Sequence, residues 1–189
     1  RLVMHPESTT LPERDQLLAG GWMSSHMADR FKAVVDQVVE WALPLFEDAE
    51  LHRIHGDCHR ANVLERPGEG LMLIDFDDMV MGPAVQDFWL MLPGHAHACG
   101  HELTLMLEGY EPFVEFDDRQ LGMIEILRAM RMIYFLAWCS TQADDYRFQS
   151  QFPEWGSEHF WQREVADLEQ QVSIIEADRN RIRGGGNEY

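Results

Sequence analysis

The sequence predicts a mainly α-helical α+β fold with one small β-hairpin near its centre. Apolar residues recur at helical spacing along most of the chain, whereas two short β-type runs flank the turn-forming segment Pro67-Gly68-Glu69-Gly70. Apolar residues make up 46% and charged residues 25% of the 189 residues, which is the balance of a globular protein. A chain of this length can bury one well-filled core or form a large lobe of a bigger protein.

The first part of the chain is predicted to be a connector followed by a helix. Residues 1–24 are rich in Pro, Gly, Ser and Thr, which is typical of a connector. Apolar residues from Phe31 to Ala42 then follow helical spacing, and Pro44 stands near the end of this helix. The chain opens on Arg1 and not on an initiator Met, so we expect it to be a piece of a longer protein.

The hairpin comes next, with strands expected at residues 62–64 and 71–74. After Gly82-Pro83 the chain is predicted to be helical to its end. The expected helices are residues 84–92, residues 103–113, a long helix from a capping pair (Asp117 with Gln120) to Ala137, and a last helix capped by Ser157. Gly184-Gly185-Gly186 should fray, so a flexible tail of residues 184–189 would follow a main unit of residues 25–183.

Charge and cysteine content exclude several classes of protein. The formal net charge of −18 argues against nonspecific nucleic-acid binding, which needs clustered Lys and Arg. The longest apolar region, residues 123–138, is interrupted by Glu125, Arg128 and Arg131, so no membrane span is expected. Three widely spaced cysteines imply no disulfide framework and fit a reducing cytoplasm.

The chemistry-bearing segment is His55-Gly56-Asp57-Cys58-His59-Arg60-Ala61-Asn62, followed by Ile74-Asp75-Phe76-Asp77-Asp78. An Asp five residues before an Asn, with a second Asp after a short apolar run, is the acid and metal-ligand set of kinases. Asp57 can accept the proton of an acceptor hydroxyl. Asn62 and Asp75 offer hard oxygen ligands for Mg²⁺, and through the ion they would hold ATP.

Neighbouring residues have supporting or structural interpretations. Gly56 permits a backbone geometry before Asp57 that a side chain would obstruct. His55 is expected to be structural, because Asp57 already supplies the base. Asp77 and Asp78 either tune the metal site or are simply solvated, and Cys58 is expected to be an inert small residue.

A second cluster of polar residues, His95, His97, Cys99 and His101, could chelate zinc if its segment were extended. Its spacing matches no structural-zinc pattern, so we expect a Gly-flanked surface loop. A His-rich zinc protein remains a third alternative.

Half of a kinase active site is missing from this sequence. Lys32 is the only lysine, and it lies on the polar side of the first amphipathic helix, where it should be solvated. No glycine-rich phosphate loop and no strand with a phosphate-pairing lysine precede Asp57. The sequence therefore predicts a protein kinase-like C-terminal lobe without its N-terminal lobe, and this chain alone is expected to be inactive.

The motif His55-Gly56-Asp57-x₄-Asn62 with Ile74-Asp75-Phe76-Asp77 resembles that of the aminoglycoside phosphotransferase and choline kinase-like superfamily. Three later segments look like the stress response kinase A branch of bacterial cytoplasmic kinases that act on protein serine and threonine. Those segments are residues 82–89, residues 127–138, and Phe152-Pro153 with Phe160-Trp161.

By position, the resemblance implies that Asp57 is the proton acceptor and that Asn62 and Asp75 bind magnesium, with Asp75 as the second essential acid. It also implies that Asp87 supports the catalytic loop by hydrogen bonding. The expected function is transfer of the γ-phosphate of ATP to a protein Ser or Thr, in the cytoplasm. The alternatives are a small-molecule kinase acting on an aminoglycoside, choline-like or homoserine hydroxyl, which the acidic chain would suit, and a non-catalytic binding lobe.

Overall fold

The structure is a computed structural model that describes residues 2–184, with side chains through residue 181. The described residues form seven α-helices: α1 (Thr10–Ala19), α2 (Ser25–Glu47), α3 (Val85–Trp89), α4 (Gly100–Tyr110), α5 (Ile124–Gln142), α6 (Tyr146–Gln151) and α7 (Glu158–Gly184). They also form four short strands: β1 (Leu51–Ile54), β2 (Val63–Arg66), β3 (Gly70–Leu73) and β4 (Val80–Pro83). The predicted fold class, mainly helical with small β elements, is confirmed.

The chain divides into two compact units. Among the described residues, the first contains residues 2–4 and 45–125, and the second contains residues 5–44 and 126–184. The four strands and every predicted site residue belong to the first unit. The longest apolar helices belong mostly to the second.

The first unit is built around two antiparallel strand pairs. Strand β1 pairs with β4, and strand β2 pairs with β3 in the hairpin that the sequence predicts. Residue Val3 adds a parallel bridge to Met81 in β4. The turn of the hairpin uses Gly68 and Gly70, both at positive φ, which glycine adopts without steric cost.

The second unit holds one apolar core. Residues of α1, α2, α5 and α7 are buried in it, with Phe31, Val35, Trp161 and Leu168 fully inaccessible. The rings of Phe31 and Trp161 meet edge to face, with centroids 6.1 Å apart. Ser157 caps α7 as predicted, since its hydroxyl accepts the backbone N–H of Phe160.

Residues 1–24 are not simply the connector that the sequence predicts, because they include helix α1. Its Leu17 is fully buried in the core of the second unit. The residues that resemble a loop instead mark the ends of this helix: Pro12 stands in its first turn, where the missing N–H costs little, and Gly20 follows its last residue. The predicted tail is outside the described residues from residue 185 onward.

The predicted long helix differs at its start. A 3₁₀ segment, Asp118–Met123, precedes α5, and Asp117 caps that segment by accepting the backbone N–H of Arg119. Gln120 is not the second half of a capping pair. Its buried amide instead accepts the N–H of Val85 and donates to the carbonyl of Glu50.

The described helices include none that combines enough length with enough apolar character to cross a membrane.

Candidate functional site

The hairpin brings the two halves of the predicted motif together. Its register pairs Val63 with Leu73, and the next backbone hydrogen bond runs from Ile74 N–H to the carbonyl of Asn62, at 3.0 Å. Asn62 therefore lies directly opposite the residue that precedes Asp75. This is the arrangement expected from a loop followed by a tight hairpin.

Asn62 is tied to Asp57 through its amide nitrogen. Its Nδ2–H donates to the backbone carbonyl of Asp57 at 2.9 Å and approaches the carboxylate Oδ2 of Asp57 at 3.4 Å. Asn62 is buried, in a short 3₁₀ turn at Arg60–Asn62 that leads into β2. With its amide nitrogen used in this way, the group that Asn62 can offer to a cation is its amide oxygen.

His55 connects both parts of the motif. Its Nε2 lies 2.9 Å from the carbonyl of Ile74 and its Nδ1 lies 3.4 Å from the backbone N of Asp57. A carbonyl only accepts and an N–H only donates, so Nε2 carries the proton and Nδ1 accepts. The buried imidazole thus connects the backbone N–H of Asp57 to the carbonyl of Ile74, the residue before Asp75. The ring of Phe76 lies against it, with ring centroids 4.9 Å apart.

Asp87 holds the start of the loop from α3. Its two carboxylate oxygens accept the backbone N–H groups of His55 (2.7 Å) and Gly56 (2.9 Å). Burial raises the pKa of Asp87 above its ordinary value, and the two N–H groups oppose that shift by stabilising the charged form. Asp87 therefore ties the backbone at the start of the loop to α3, and its supporting role in catalysis stays a prediction.

A left-handed backbone conformation occurs in both parts of the motif, at Gly56 and at Asp75. Gly56 has φ +83°, and a Cβ placed there would meet the carbonyl oxygen of Asp78 at 2.3 Å. Asp75 has φ +63°, the one positive value among the non-glycine residues that the structure describes. For an L-residue this conformation costs about 1–2 kcal/mol, and such strain clusters at functional sites.

His59 contributes a contact that sequence reasoning did not assign. Its Nδ1 accepts the backbone N–H of Ala61 at 3.2 Å, and its Nε2 lies 3.5 Å from the carboxylate Oδ2 of Asp57. Both His59 and the Asn62 amide therefore face the same carboxylate oxygen. Its position two residues after Asp57, inside the motif, is the signal that could have found it.

Three other predicted residues have simpler surroundings. Asp77 and Asp78 are the exposed central residues of a turn closed by Met79 N–H and the Phe76 carbonyl. The supporting role of Asp77 stays a prediction. Burial, followed by the charges of Asp87 and Asp57, raises the pKa of the Cys58 thiol, which disfavours its reactive thiolate form.

The loop that carries His95, His97, Cys99 and His101, here called the histidine loop, is anchored by a buried carboxylate. Glu125, 3% exposed, accepts the backbone N–H of Ala96 at 2.8 Å, and its other oxygen lies 2.9 Å from Nδ1 of His95. In the described part of the chain, no three His, Cys, Asp or Glu side chains are grouped so that they could hold a metal. His95 is thus part of a loop anchor.

The chemistry of the donor set fits magnesium. Asn62 and the exposed Asp75 carry oxygen donors. The backbone of Asn62 is hydrogen-bonded to that of Ile74, the residue before Asp75. Mg²⁺ prefers such oxygen ligands and typically takes one or two from the protein, keeping water and phosphate oxygens as the rest.

Comparison with known proteins assigns the chain to a family. Residues 4–124 match the model of the phosphotransferase enzyme family, which is well over half of the chain and includes the whole motif. The chain belongs to the phosphotransferase enzyme family.

Curated proteins that are similar to this chain carry the names of kinases. The chain is 42% identical over 130 residues to stress response kinase A of Escherichia coli K12, covering 69% of this chain and 39% of that protein. It is 41% identical over 123 residues to the serine/threonine protein kinase RdoA of Salmonella typhimurium LT2, covering 65% and 37%. The resemblance predicted from sequence is confirmed, and the chain spans about two fifths of the length of these relatives.

Proposed function

We propose that this phosphotransferase chain is the C-terminal catalytic lobe of a kinase that transfers the γ-phosphate of ATP to the hydroxyl of a protein Ser or Thr. The observation that carries the proposal is the hairpin, which sets Asn62 and the residue before Asp75 on one rung while the Asn62 amide holds Asp57. The name of the similar Salmonella protein supports the choice of acceptor.

In this proposal Asp57 orients the acceptor hydroxyl by accepting its hydrogen bond. The hydroxyl oxygen forms a bond to the γ-phosphorus while the bond from that phosphorus to the β,γ-bridging oxygen breaks. The hydroxyl proton passes to the Asp57 carboxylate, and ADP leaves with the bridging oxygen. Asn62 and His59, which both face Oδ2 of Asp57, would keep the carboxylate from rotating during this step.

Asn62 and Asp75 would hold the magnesium ion. Bound there, Mg²⁺ would neutralise phosphate charge and align the γ-phosphoryl group. The strained backbone of Asp75 would be maintained by His55, which donates to the carbonyl just before it.

An N-terminal lobe completes the proposed enzyme. Exposed apolar side chains lie on and after the hairpin, among them Leu71 (76% exposed) and Phe76 (50% exposed). Apolar surface grouped at a site is a common mark of a contact with another part of a protein. We propose that the lobe which binds the nucleotide covers this apolar surface. The chain joined to such a lobe is called the two-lobed protein below. Because Leu17 is buried in the second unit, the C-terminal lobe would begin before residue 25.

The test is transfer of label from γ-labelled ATP by the two-lobed protein carrying Asp57→Ala. We expect transfer to fall at least about a thousandfold, because general-base positioning and the metal-linked loop are lost together. Glu69→Gln, an exposed change on the hairpin turn, serves as the control and should retain activity. Unchanged transfer by Asp57→Ala would end the assignment.

The acceptor is tested separately. The two-lobed protein should label protein acceptors containing Ser and Thr in preference to small alcohols such as aminoglycosides, choline and homoserine. The net charge of −18 makes a cationic small molecule the specific rival, since carboxylates attract ammonium groups. Labelling confined to the small alcohols would move the substrate to that class while leaving the reaction type intact.

A further inference from the structure

Helix α3 contains two buried polar side chains, Gln86 and Trp89, that have no role in the proposed reaction. They are 3% and 5% exposed. Three positions apart on a helix, they share one face. The indole Nε1–H of Trp89 donates to Oε1 of Gln86 at 2.8 Å, and Nε2–H of Gln86 donates to the backbone carbonyl of Gly56 at 3.2 Å.

The chemistry of the two partners fixes the orientation of this amide. An indole N–H can only donate, and a carbonyl oxygen can only accept. Gln86 satisfies both only when its oxygen faces Trp89 and its nitrogen faces Gly56. A flipped amide would bring donor against donor and acceptor against acceptor inside the protein, which is costly where water cannot compensate.

The carbonyl that Gln86 holds belongs to the same planar peptide unit as the N–H of Asp57. The other side of that unit is held by Nδ1 of His55, which accepts the Asp57 N–H. The preceding peptide unit is held by Asp87 through the Gly56 N–H. Two consecutive peptide planes that lead to Asp57 are thus tied to adjacent residues of α3.

We propose that Gln86, oriented by Trp89, is a positioning residue that sets the direction of the Asp57 carboxylate. The inference rests on the proposed function for its effect on turnover. Gly56 has no side chain to restrict its rotation, so external hydrogen bonds must fix the peptide that follows it. A displacement of a reacting group by about 1 Å can reduce turnover about a hundredfold.

The test compares three variants of the two-lobed protein: Gln86→Met, Trp89→Phe and Gln120→Met. Gln86→Met keeps the size of the side chain and removes both hydrogen bonds. Trp89→Phe removes only the group that orients the amide. Gln120→Met is the matched control, because Gln120 is also a buried amide with two hydrogen bonds, to Val85 and Glu50, neither of which is in the catalytic loop.

For Gln86→Met we expect kcat to fall about tenfold to a hundredfold with KM for ATP nearly unchanged, and for Trp89→Phe a smaller fall of the same kind. Gln86→Met and Gln120→Met should lower Tm by similar amounts, because each removes two buried hydrogen bonds. Gln120→Met should nevertheless leave kcat within about twofold of wild type. Amide hydrogen exchange supplies a readout independent of turnover. Exchange in a peptide covering residues 54–58 should be faster in Gln86→Met and Trp89→Phe and unchanged in Gln120→Met.

Equal loss of kcat in Gln86→Met and Gln120→Met, or unchanged exchange at residues 54–58, would overturn the proposal. If Gln86→Met does not fold, the milder Trp89→Phe decides by the same two measurements. If the wild type transfers no phosphate, the proposed function fails, and hydrogen exchange alone then decides whether Gln86 positions the loop.

Discussion

Gly56 is the residue at which the backbone requirements of the site are strictest. Its φ is positive, its N–H and carbonyl are both held by α3, and the carbonyl oxygen of Asp78 occupies the space where a Cβ would lie. The place of Gly56 before Asp57 predicts that a side chain at this position would be obstructed. The identity of the obstructing atom is not predictable, because the Asp78 carbonyl comes from a turn far along the chain.

We predict that Gly56→Ala destabilises the chain more than Gly68→Ala does. Both glycines have φ near +80°, but nothing lies within 4 Å of a Cβ at Gly68. Gly68→Ala should cost about 1 kcal/mol from the left-handed backbone alone, whereas Gly56→Ala should cost about 1–3 kcal/mol more, because backbone must move. Urea denaturation of the two variants measures the difference, and equal midpoints would contradict the packing of Gly56 against Asp78.

Helix α1 provides the clearest expectation at the scale of an element. Its Glu13 lies in the second unit, and burial raises its pKa from 4.5 to about 7, with the charge of Arg131 opposing part of the shift. A carboxyl whose pKa is higher in the folded protein binds protons more readily there than in the unfolded chain. Stability associated with Glu13 is therefore highest below pH 4.5, falls as the pH rises toward 7, and stays low above that.

Glu13→Gln should remove this dependence. The difference between the two pKa values corresponds to at most about 3 kcal/mol, so the variant should gain stability relative to wild type as the pH rises from 4.5 to 8. The check is urea denaturation at both pH values, with the exposed change Glu7→Gln as control. A constant difference between Glu13→Gln and wild type across that range would show that Glu13 ionises normally.

Local signals account for which elements the sequence predicts. The hairpin is predictable because a glycine-rich turn lies between two β-type runs, and α7 because Ser157 precedes a regular apolar pattern. Strands β1 and β4 are missed because they pair across a long stretch of sequence. Helix α6 is missed although Asp145 caps it by accepting the N–H groups of Arg147 and Phe148, a signal available in the sequence.

Side-chain contacts between distant segments explain what the sequence leaves open at the site. The histidine loop resembles a metal site when its spacing is considered alone, but the buried Glu125 that anchors it lies far along the chain. Gln120 resembles a capping residue in the sequence, but its amide forms hydrogen bonds with the backbones of Val85 and Glu50. That Asp57, Asn62 and the strand end before Asp75 lie close together is predictable, because their spacing and the hairpin are both local.

At the scale of the whole molecule, we predict that the 189-residue chain alone transfers no phosphate above background. Its only lysine, Lys32, pairs with Asp36 at 2.5 Å, and Arg14 also pairs with Asp36, so this lysine is engaged within the second unit. Lys32 is thus not placed to serve as the phosphate-pairing lysine that a kinase requires. The assay is label transfer from γ-labelled ATP by the chain alone and by the two-lobed protein. Transfer by the chain alone at a rate above the background would contradict the prediction.

The most direct test of the central claim, that Asn62 and Asp75 share one divalent ion, is binding of Mn²⁺ with ATP to the two-lobed protein, followed by electron paramagnetic resonance. Asn62→Ala and Asp75→Asn should each weaken Mn²⁺ binding by about tenfold or more, whereas Glu69→Gln on the same hairpin should not. The double variant should bind Mn²⁺ more weakly than either single variant. Its total loss of affinity should be smaller than the product of the two single losses, because ligands of one ion are coupled. Fully multiplicative losses, or binding unchanged by either substitution, would contradict the shared site.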